Sequence, residues 1–303
     1  MQSAREITLG LGGVFRGNYG KAPCPVCQTG KKTQDALTIG DGYFGNLVLH
    51  CKKSGCQFLD ILSAIGLSRD SYEPPSASEV ARRKAEDEAQ AIKRSKQSEG
   101  IWKEAVPIAG TLAEVYLRSR GITCELPKSL RYHPECWHGA TAKRLPAMVA
   151  AIQGKKLPAI HRTYLKPDGS AKAEVSPSKA MLGSVLGGAV RLSQGHEALV
   201  VCEGIETGLS LASGLLSGST EVWAGLSTSG IKGLVLPALE GRRLIVAADG
   251  DTAGKQSAEE LAERAARLGW MVERATAPDN QDFNDVLIAE TADRNNSNEY
   301  DKT

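Results

Sequence analysis

Two short apolar runs, each ending abruptly in carboxylates, constrain this 303-residue chain more than any other feature. Leu199-Val200-Val201 leads into Cys202-Glu203-Gly204-Ile205-Glu206-Thr207, and Leu244-Ile245-Val246-Ala247-Ala248 leads into Asp249-Gly250-Asp251. Runs this short, with no polar alternation, fill parallel strands that are covered on both faces. Gly204 supplies a sharp turn after the first run, and a helix-type stretch, Ile205–Ser213, follows it. In open α/β sheets, ligands gather outside the carboxyl ends of the strands. Glu203, Asp249 and Asp251 are therefore expected at one edge of a mainly parallel sheet. Carboxylates held close together repel one another, and a hard divalent cation, Mg2+ or Mn2+, relieves that repulsion.

A second pattern lies near the N-terminus. Cys24-Pro-Val-Cys27 and Cys51-Lys-Lys-Ser-Gly-Cys56 are two cysteine knuckles separated by 23 residues. Four thiolates so spaced can close a tetrahedral Zn2+ site that is structural, because no position stays open for a substrate. Gly55 lets the backbone turn tightly before Cys56. Between the pairs, Ala36-Leu37-Thr38-Ile39 and Leu47-Val48-Leu49 predict two strands of a zinc ribbon. His50 is an alternative to Cys51 as ligand; Cys51 is preferred, because neighbours on a strand point to opposite sides. Cys136, between His133 and His138, raises a second metal site, set against a loop anchored by Trp137. The seven cysteines in all, four of them in metal spacing, favour a reducing cytoplasm over a disulfide scaffold.

The expected fold class is α/β, with an N-terminal zinc ribbon, a connecting helix and a catalytic core. The expected organisation is a ribbon over 1–70, a helical linker over 71–105, a basic segment over 106–197, the sheet with acidic tips over 198–292 and a disordered polar tail over 293–303. Glu79–Gly100 is almost wholly charged or alanine and predicts an exposed helix. Thr111–Arg120 predicts a second helix, and 146–152 and 157–165 predict strands. No stretch approaches the roughly 18 apolar residues of a membrane span, so no membrane partner is expected. The net charge of +2 hides an asymmetry: residues 101–197 carry 14 Lys/Arg against 7 Asp/Glu, and residues 198–303 carry 9 against 17. A basic segment beside an acidic one suits a polyanion lying over a metal site, or two domains that each have an ordinary solvated surface.

Glu-Gly-x-Glu-Thr after one strand and Asp-x-Asp after a later one resemble the TOPRIM domain, which bacterial-type primases share with type IA and type II topoisomerases and some nucleases. Asp282-Phe283-Asn284-Asp285 resembles the closing acidic motif of the primase branch. His161–Leu165 through Met181-Leu182-Gly183 is similar to the run-in of plasmid- and phage-type primases, in which a zinc module precedes the TOPRIM domain. The resemblance implies a DNA primase, a nucleotidyltransferase that makes short RNA primers on single-stranded DNA from ribonucleoside triphosphates. Glu203, Asp249 and Asp251 would be catalytic, and Asp282 and Asp285 would join them around magnesium. It also implies template contacts by the zinc ribbon, for which Tyr43, Phe44, Lys31, Lys32, Lys52 and Lys53 are candidates. In the basic segment the candidates are His161, Arg162, Lys166, Lys172 and Lys179, with Lys143 and Arg144 behind them, and Lys255 could meet a phosphate.

No Gly-x-x-x-x-Gly-Lys-Ser/Thr loop occurs in the chain, so it is expected either to work with a separate helicase or to be a truncated relative. Other readings stay open: Asp251 as a helix cap, Glu206 as a supporting residue, and the domain as a metal-dependent nuclease or a non-catalytic single-stranded-DNA-binding replication accessory protein.

Overall fold

The computed structural model describes residues 2–17, 19–28, 35–42, 45–68 and 71–300, with the backbone alone over 294–300. Tyr43, Phe44, Lys31 and Lys32 lie outside the described residues. The chain divides into two compact units, Met1–Gln90 and Ala91–Thr303.

In the first unit, α1 (Ala4–Gly10) starts from a capping box in which Ser3 and Glu6 bond each other's backbone, the arrangement that satisfies two free N–H groups at once. Strands β1 (Val14–Arg16), β2 (Tyr19–Ala22), β3 (Leu37–Asp41) and β4 (Leu47–Cys51) form one antiparallel sheet in that order. The expected ribbon hairpin is thus extended by two further strands. Along β4, Leu47, Leu49 and Cys51 point inward and Val48 and His50 outward, so the period of two carries Cys51 into the core with Leu37, Ile39 and Ile61. Helix α2 (Phe58–Ala64) closes this small core. Helix α3 (Ala77–Glu104) continues the chain into the second unit. It outruns the expected Glu79–Gly100 because Ile101 and Trp102 pack on Val149 and Ile160, and Ser98 Oγ donates to the Pro158 carbonyl at 2.8 Å.

The second unit holds two five-stranded sheets. Strands β5 (Val106–Pro107), β6 (Leu130–His138), β7 (Lys143–Ile152), β8 (Ala159–Tyr164) and β9 (Lys179–Leu182) lie in sequence order and are antiparallel. Helix α4 (Leu112–Ser119) lays Ala113, Tyr116 and Leu117 into a core shared with Leu130, Met148 and Ala150. The Cys136 region is strand, not loop, and Trp137 is 48% exposed rather than an anchor. Alternation along β6 explains this: Cys136 and His138 take the inner face, which leaves Trp137 the outer one.

The second sheet comprises β10 (Val190–Arg191), β11 (Ala198–Cys202), β12 (Thr220–Ala224), β13 (Arg243–Ala248) and β14 (Met271–Thr276), in the order β10-β12-β11-β13-β14. Strands β11 to β14 are mutually parallel where they pair, and β10 is antiparallel. Helices α5 (Ile205–Ser210), α6 (Thr228–Gly233) and α7 (Thr252–Arg267) connect them. Val200 and Cys202 face the core that contains α4 and α5, while Leu199 and Val201 face Leu261, Ala262 and Ala265 of α7. Burial on both sides is why the strand reads as one apolar run. The helical stretch expected to reach Ser213 changes at Leu211 into a wider turn, Leu211–Leu215, where Gly214 has φ +122°. Helix α8 (Phe283–Tyr300) continues beyond Asp293, where a disordered tail was expected; a helix once nucleated adds one backbone bond per residue.

Candidate active site and zinc site

The parallel register brings the acidic tips together. Val201 lies opposite Val246 on adjacent strands, so Glu203 and Asp249 leave neighbouring strand ends. Gly250 lies between the two aspartates because nothing larger fits: a Cβ there would stand 1.9 Å from the Pro278 carbonyl oxygen. Its N–H donates to the Gln281 carbonyl at 2.8 Å, and its own carbonyl accepts from Asn280 N–H at 3.3 Å. This pairing carries the segment after β14, and with it Asp282, to the same edge.

Asp249 shows the electrostatic result. Burial, and then the negative charges of Glu203, Asp282 and Asp251, push its carboxyl up to about 6, against which Lys179 acts in the opposite direction. One of its oxygens, Oδ1, is buried with no hydrogen-bond partner among the described residues. Glu203 is also pushed up, first by burial and then by Asp251, with Lys179 again opposing. An orphaned carboxylate oxygen among like charges fits a divalent cation, which accepts oxygen ligands and removes the repulsion.

The other acids do structural work as well. Asp251 is the N-cap of α7 and accepts from Gly254 N–H at 2.6 Å. Asp282 Oδ1 accepts from Asn284 and Asp285 N–H at 2.8 and 3.0 Å, while Asp285 Oδ2 accepts from Asp282 N–H at 3.0 Å. Asp285 is exposed. Among the described residues, the one group of three or more ligand-type side chains drawn tightly together is the four cysteines. Glu203, Asp249, Asp251 and Asp282 share an edge, but Asp251 and Asp282 face their own helix starts, and the exposed Asp285 faces the Asp282 N–H.

Glu206 is the residue that the sequence undervalues. It is 4% exposed and accepts from Tyr116 Oη at 2.8 Å. Lys179 Nζ lies 3.2 Å and Lys172 Nζ 3.4 Å from its two oxygens. Burial alone would raise its pKa; the two lysines, with its own backbone N–H and Tyr116, hold it far below the usual carboxylate range. Lys179 thus links the basic segment to the acidic edge. His161 is buried near this network, with Nδ1 unpartnered among the described residues, and burial, then Lys179, depress its pKa to about 4.

The remaining candidate contacts are largely engaged. Lys166 pairs with Glu174 at 2.7 Å and Lys255 with Asp279 at 2.6 Å. Arg162 Nη1 donates to the Trp137 carbonyl at 3.3 Å. Lys52 and Lys53 are exposed. A cavity of about 870 Å³ opens beside Glu221 at the start of β12, lined also by Lys128, Gln153 and Arg191 but by none of the strand-end carboxylates.

In the first unit, the ligand atoms of Cys24, Cys27, Cys51 and Cys56 all lie within 4.8 Å of one another, and Cys27 and Cys51 Sγ are 3.6 Å apart. A tetrahedron with Zn–S arms of about 2.3 Å has edges near 3.8 Å, so four thiolates here fit zinc. Burial pushes the Cys51 thiol up, but N–H groups of Ser54, Cys56 and Lys53 outweigh it and hold the thiol at about 6. Gly55, at φ +59°, makes that turn possible. Cys136, His133 and His138 are not gathered in this way: His133 Nε2 meets Glu104 at 3.1 Å, and His138 meets Thr141 and the Pro177 carbonyl at 2.7 and 3.0 Å.

Residues 198–293 match the family model of the Toprim domain. That stretch of the chain is a Toprim domain. Residues 92–192, just upstream of the Toprim domain, match a domain of unknown function (DUF7146). No curated protein matches the chain. Among solved structures, a DNA primase domain from Pseudomonas aeruginosa is similar at 18% identity and TM-score 0.41, covering 66% of this chain and 75% of that one. The zinc-binding and RNA polymerase domains of the Aquifex aeolicus primase are similar at 14% identity and TM-score 0.39, covering 97% and 85%. The primase fragment of the bacteriophage T7 primase-helicase protein is similar at 14% identity and TM-score 0.35, covering 62% and 70%.

The Toprim domain includes the acidic edge and Glu206, whereas Tyr116, Lys172 and Lys179 come from the preceding segment. One signal for Glu206 was present in the sequence, since it follows Glu203 by three residues at a strand-to-helix turn. Its lysine partners are 27 and 34 residues upstream, a pairing that only the fold reveals. No helix among the described residues is long and apolar enough to cross a membrane.

Proposed function

We propose that the chain is a DNA primase, joining ribonucleotides into short RNA primers on a single-stranded DNA template. One observation carries this reading: a strand-end Asp249 with a raised pKa and an orphaned oxygen, flanked by Glu203, on a chain that also bears a four-cysteine zinc site. Glu203 and Asp249 would hold the catalytic Mg2+ or Mn2+, with Asp251 and Asp282 supporting through their charge. Bound there, such ions would stabilise the attacking and leaving oxygens of phosphoryl transfer. The chain's own residues do the rest. The Asp249 oxygen is kept free of competing hydrogen-bond donors, so it stays available to a cation. Lys179, anchored on Glu206, sets a positive charge beside the carboxylates, where a nucleotide phosphate would be drawn in. Tyr116 and Lys172 fix the Glu206 carboxylate, and through it the position of Lys179.

The four cysteines belong to the other compact unit and leave no ligand position open for chemistry; zinc there would supply folding energy to a small core and present Lys52 and Lys53 to the template. Ribonucleoside triphosphates and single-stranded DNA are the proposed substrates, a separate replicative helicase the proposed partner, and the cytoplasm the proposed compartment. The test is incubation with single-stranded template, labelled ribonucleotides and Mg2+. Short labelled RNA that disappears with Asp249→Ala supports the proposal. Degraded template instead indicates a nuclease, and binding without either reaction indicates an accessory protein.

A further inference from the structure

The tip of the β6–β7 hairpin carries an exposed tryptophan that no part of the proposed chemistry uses. Trp137 is 48% exposed, while Trp223 and Trp270 are 8% and 4% exposed and Trp102 is half-buried beneath Arg131 at 4.5 Å. Its cross-strand partner is Arg144, and the next pair toward the tip is His138 with Lys143. Arg144 and Lys143 are both exposed, and neither forms an ion pair with a carboxylate among the described residues. Arg144 is turned along the strand, where Nη1 donates to the Glu135 carbonyl at 3.2 Å.

The backbone beneath the indole is fixed. The Trp137 carbonyl accepts from Tyr164 Oη at 2.7 Å and from Arg162 Nη1 at 3.3 Å. His138, the next residue, is buried edge-on against Tyr164, with ring centroids 4.7 Å apart. It is held at both ring nitrogens, by Thr141 and by the Pro177 carbonyl. A large aromatic held out in water on a braced hairpin, beside two cations with no carboxylate partner among the described residues, has little backbone entropy left to lose on binding. Charge complementarity selects the occupant. The surrounding segment carries 14 basic against 7 acidic residues, which suits a polyanion whose own rings can stack.

We propose that Trp137, with Arg144 and Lys143, forms a stacking platform for single-stranded nucleic acid, the indole taking the face of one base and the two cations the adjoining phosphates. This rests on the reading that the chain handles a single-stranded template. Stacking on an aromatic tolerates any base, because every base has a π-face, and the basic pair adds a salt-dependent term.

The experiment uses the full chain and a fluorescein-labelled single-stranded DNA oligonucleotide of mixed sequence, with binding followed by anisotropy and, separately, by quenching of tryptophan fluorescence. Trp137→Ala should weaken binding about 5- to 150-fold, the range for losing one stacked base, and should abolish most of the quenching. Trp137→Phe should recover most of the affinity. Arg144→Ala should lower the slope of log affinity against log salt by about 0.7, one phosphate contact on a single strand. Affinity of Trp137→Ala within twofold of the parent, or a parent fluorescence that DNA leaves unchanged, overturns the proposal. So does a Trp137→Ala chain that keeps its DNA affinity but changes from dimer to monomer, which would make this face a contact between copies. Loss of binding in Trp137→Ala with no primer synthesis by the parent keeps the platform and removes the primase reading; primer synthesis with Trp137→Ala binding unchanged does the reverse.

Discussion

Replacing Asp249 by Asn should stabilise the protein while disabling it. The carboxyl moves from its ordinary 3.8 to about 6, because burial and then the charges of Glu203, Asp282 and Asp251 oppose ionisation. Below pH 3.8 both folded and unfolded chains carry the proton, and Asn resembles what it replaces. Between 3.8 and about 6 the unfolded chain releases the proton and the folded chain keeps it, so ionisation favours unfolding and the cost of Asp249 grows. Above about 6 the cost is complete. A shift of about two units corresponds to a ceiling of about 3 kcal/mol; Asp249 is partly open to solvent, and screening reduces this to about 1 kcal/mol. For a unit of this size that is a rise of about 2–4 °C in Tm. Thermal denaturation of the zinc-loaded chain without added Mg2+ or Mn2+, at pH 7.5 and at pH 4, is the assay. Asp249→Asn should melt higher at pH 7.5, with the gap closing toward pH 4. Adding Mg2+ should raise the Tm of the parent and leave the variant unmoved. A variant that melts at or below the parent at pH 7.5 would show that the acidic edge carries no stored repulsion, and the argument for a cation there would fail.

Glu206→Ala removes the buried partner of Lys172, Lys179 and Tyr116; both lysines are about a third exposed and can turn to water, so the cost in urea unfolding should be about 1–3 kcal/mol, and an unchanged midpoint would mean that these contacts do not form in solution. His161 should make stability fall in mild acid. The unfolded chain takes up a proton near 6.5 and the folded chain only near 4, so stability is full above pH 6.5 and declines by up to about 3 kcal/mol toward pH 4. That decline should shrink in His161→Asn, and its persistence would assign the effect to other groups. The purified chain should release about one zinc on treatment with a thiol reagent, with loss of folded signal from the first unit; a metal-free chain with that unit intact contradicts the cysteine site.

Much of this was legible in the residues because local rules agreed. The apolar runs at 199–201 and 244–248 became central strands since both faces are covered, and alternation over Leu47–Cys51 chose Cys51 over His50. Thr111 and Arg120 bracket α4 as its N-cap and C-cap, as the pattern from 111 to 120 indicates. What the sequence hid was pairing at long range. Lys172 and Lys179 read as free template contacts but are anchored on the buried Glu206, and Lys255 pairs with Asp279. Asp251 and Asp282 read as ligands, yet a carboxylate at the start of a helix also meets unsatisfied N–H groups, and both do so here. Trp137 was misplaced because a tryptophan is usually read as core, and only the register of β6 shows which face it takes.

The central physical claim is that the strand-end carboxylates hold a divalent cation. Titration of the protein with Mn2+, followed by electron paramagnetic resonance of the free ion, tests it most directly. Saturable binding that is lost in Asp249→Asn and weakened in Glu203→Gln, with the zinc content unchanged, is the expected result. No saturable binding by the parent, or binding that both substitutions leave intact, would contradict it.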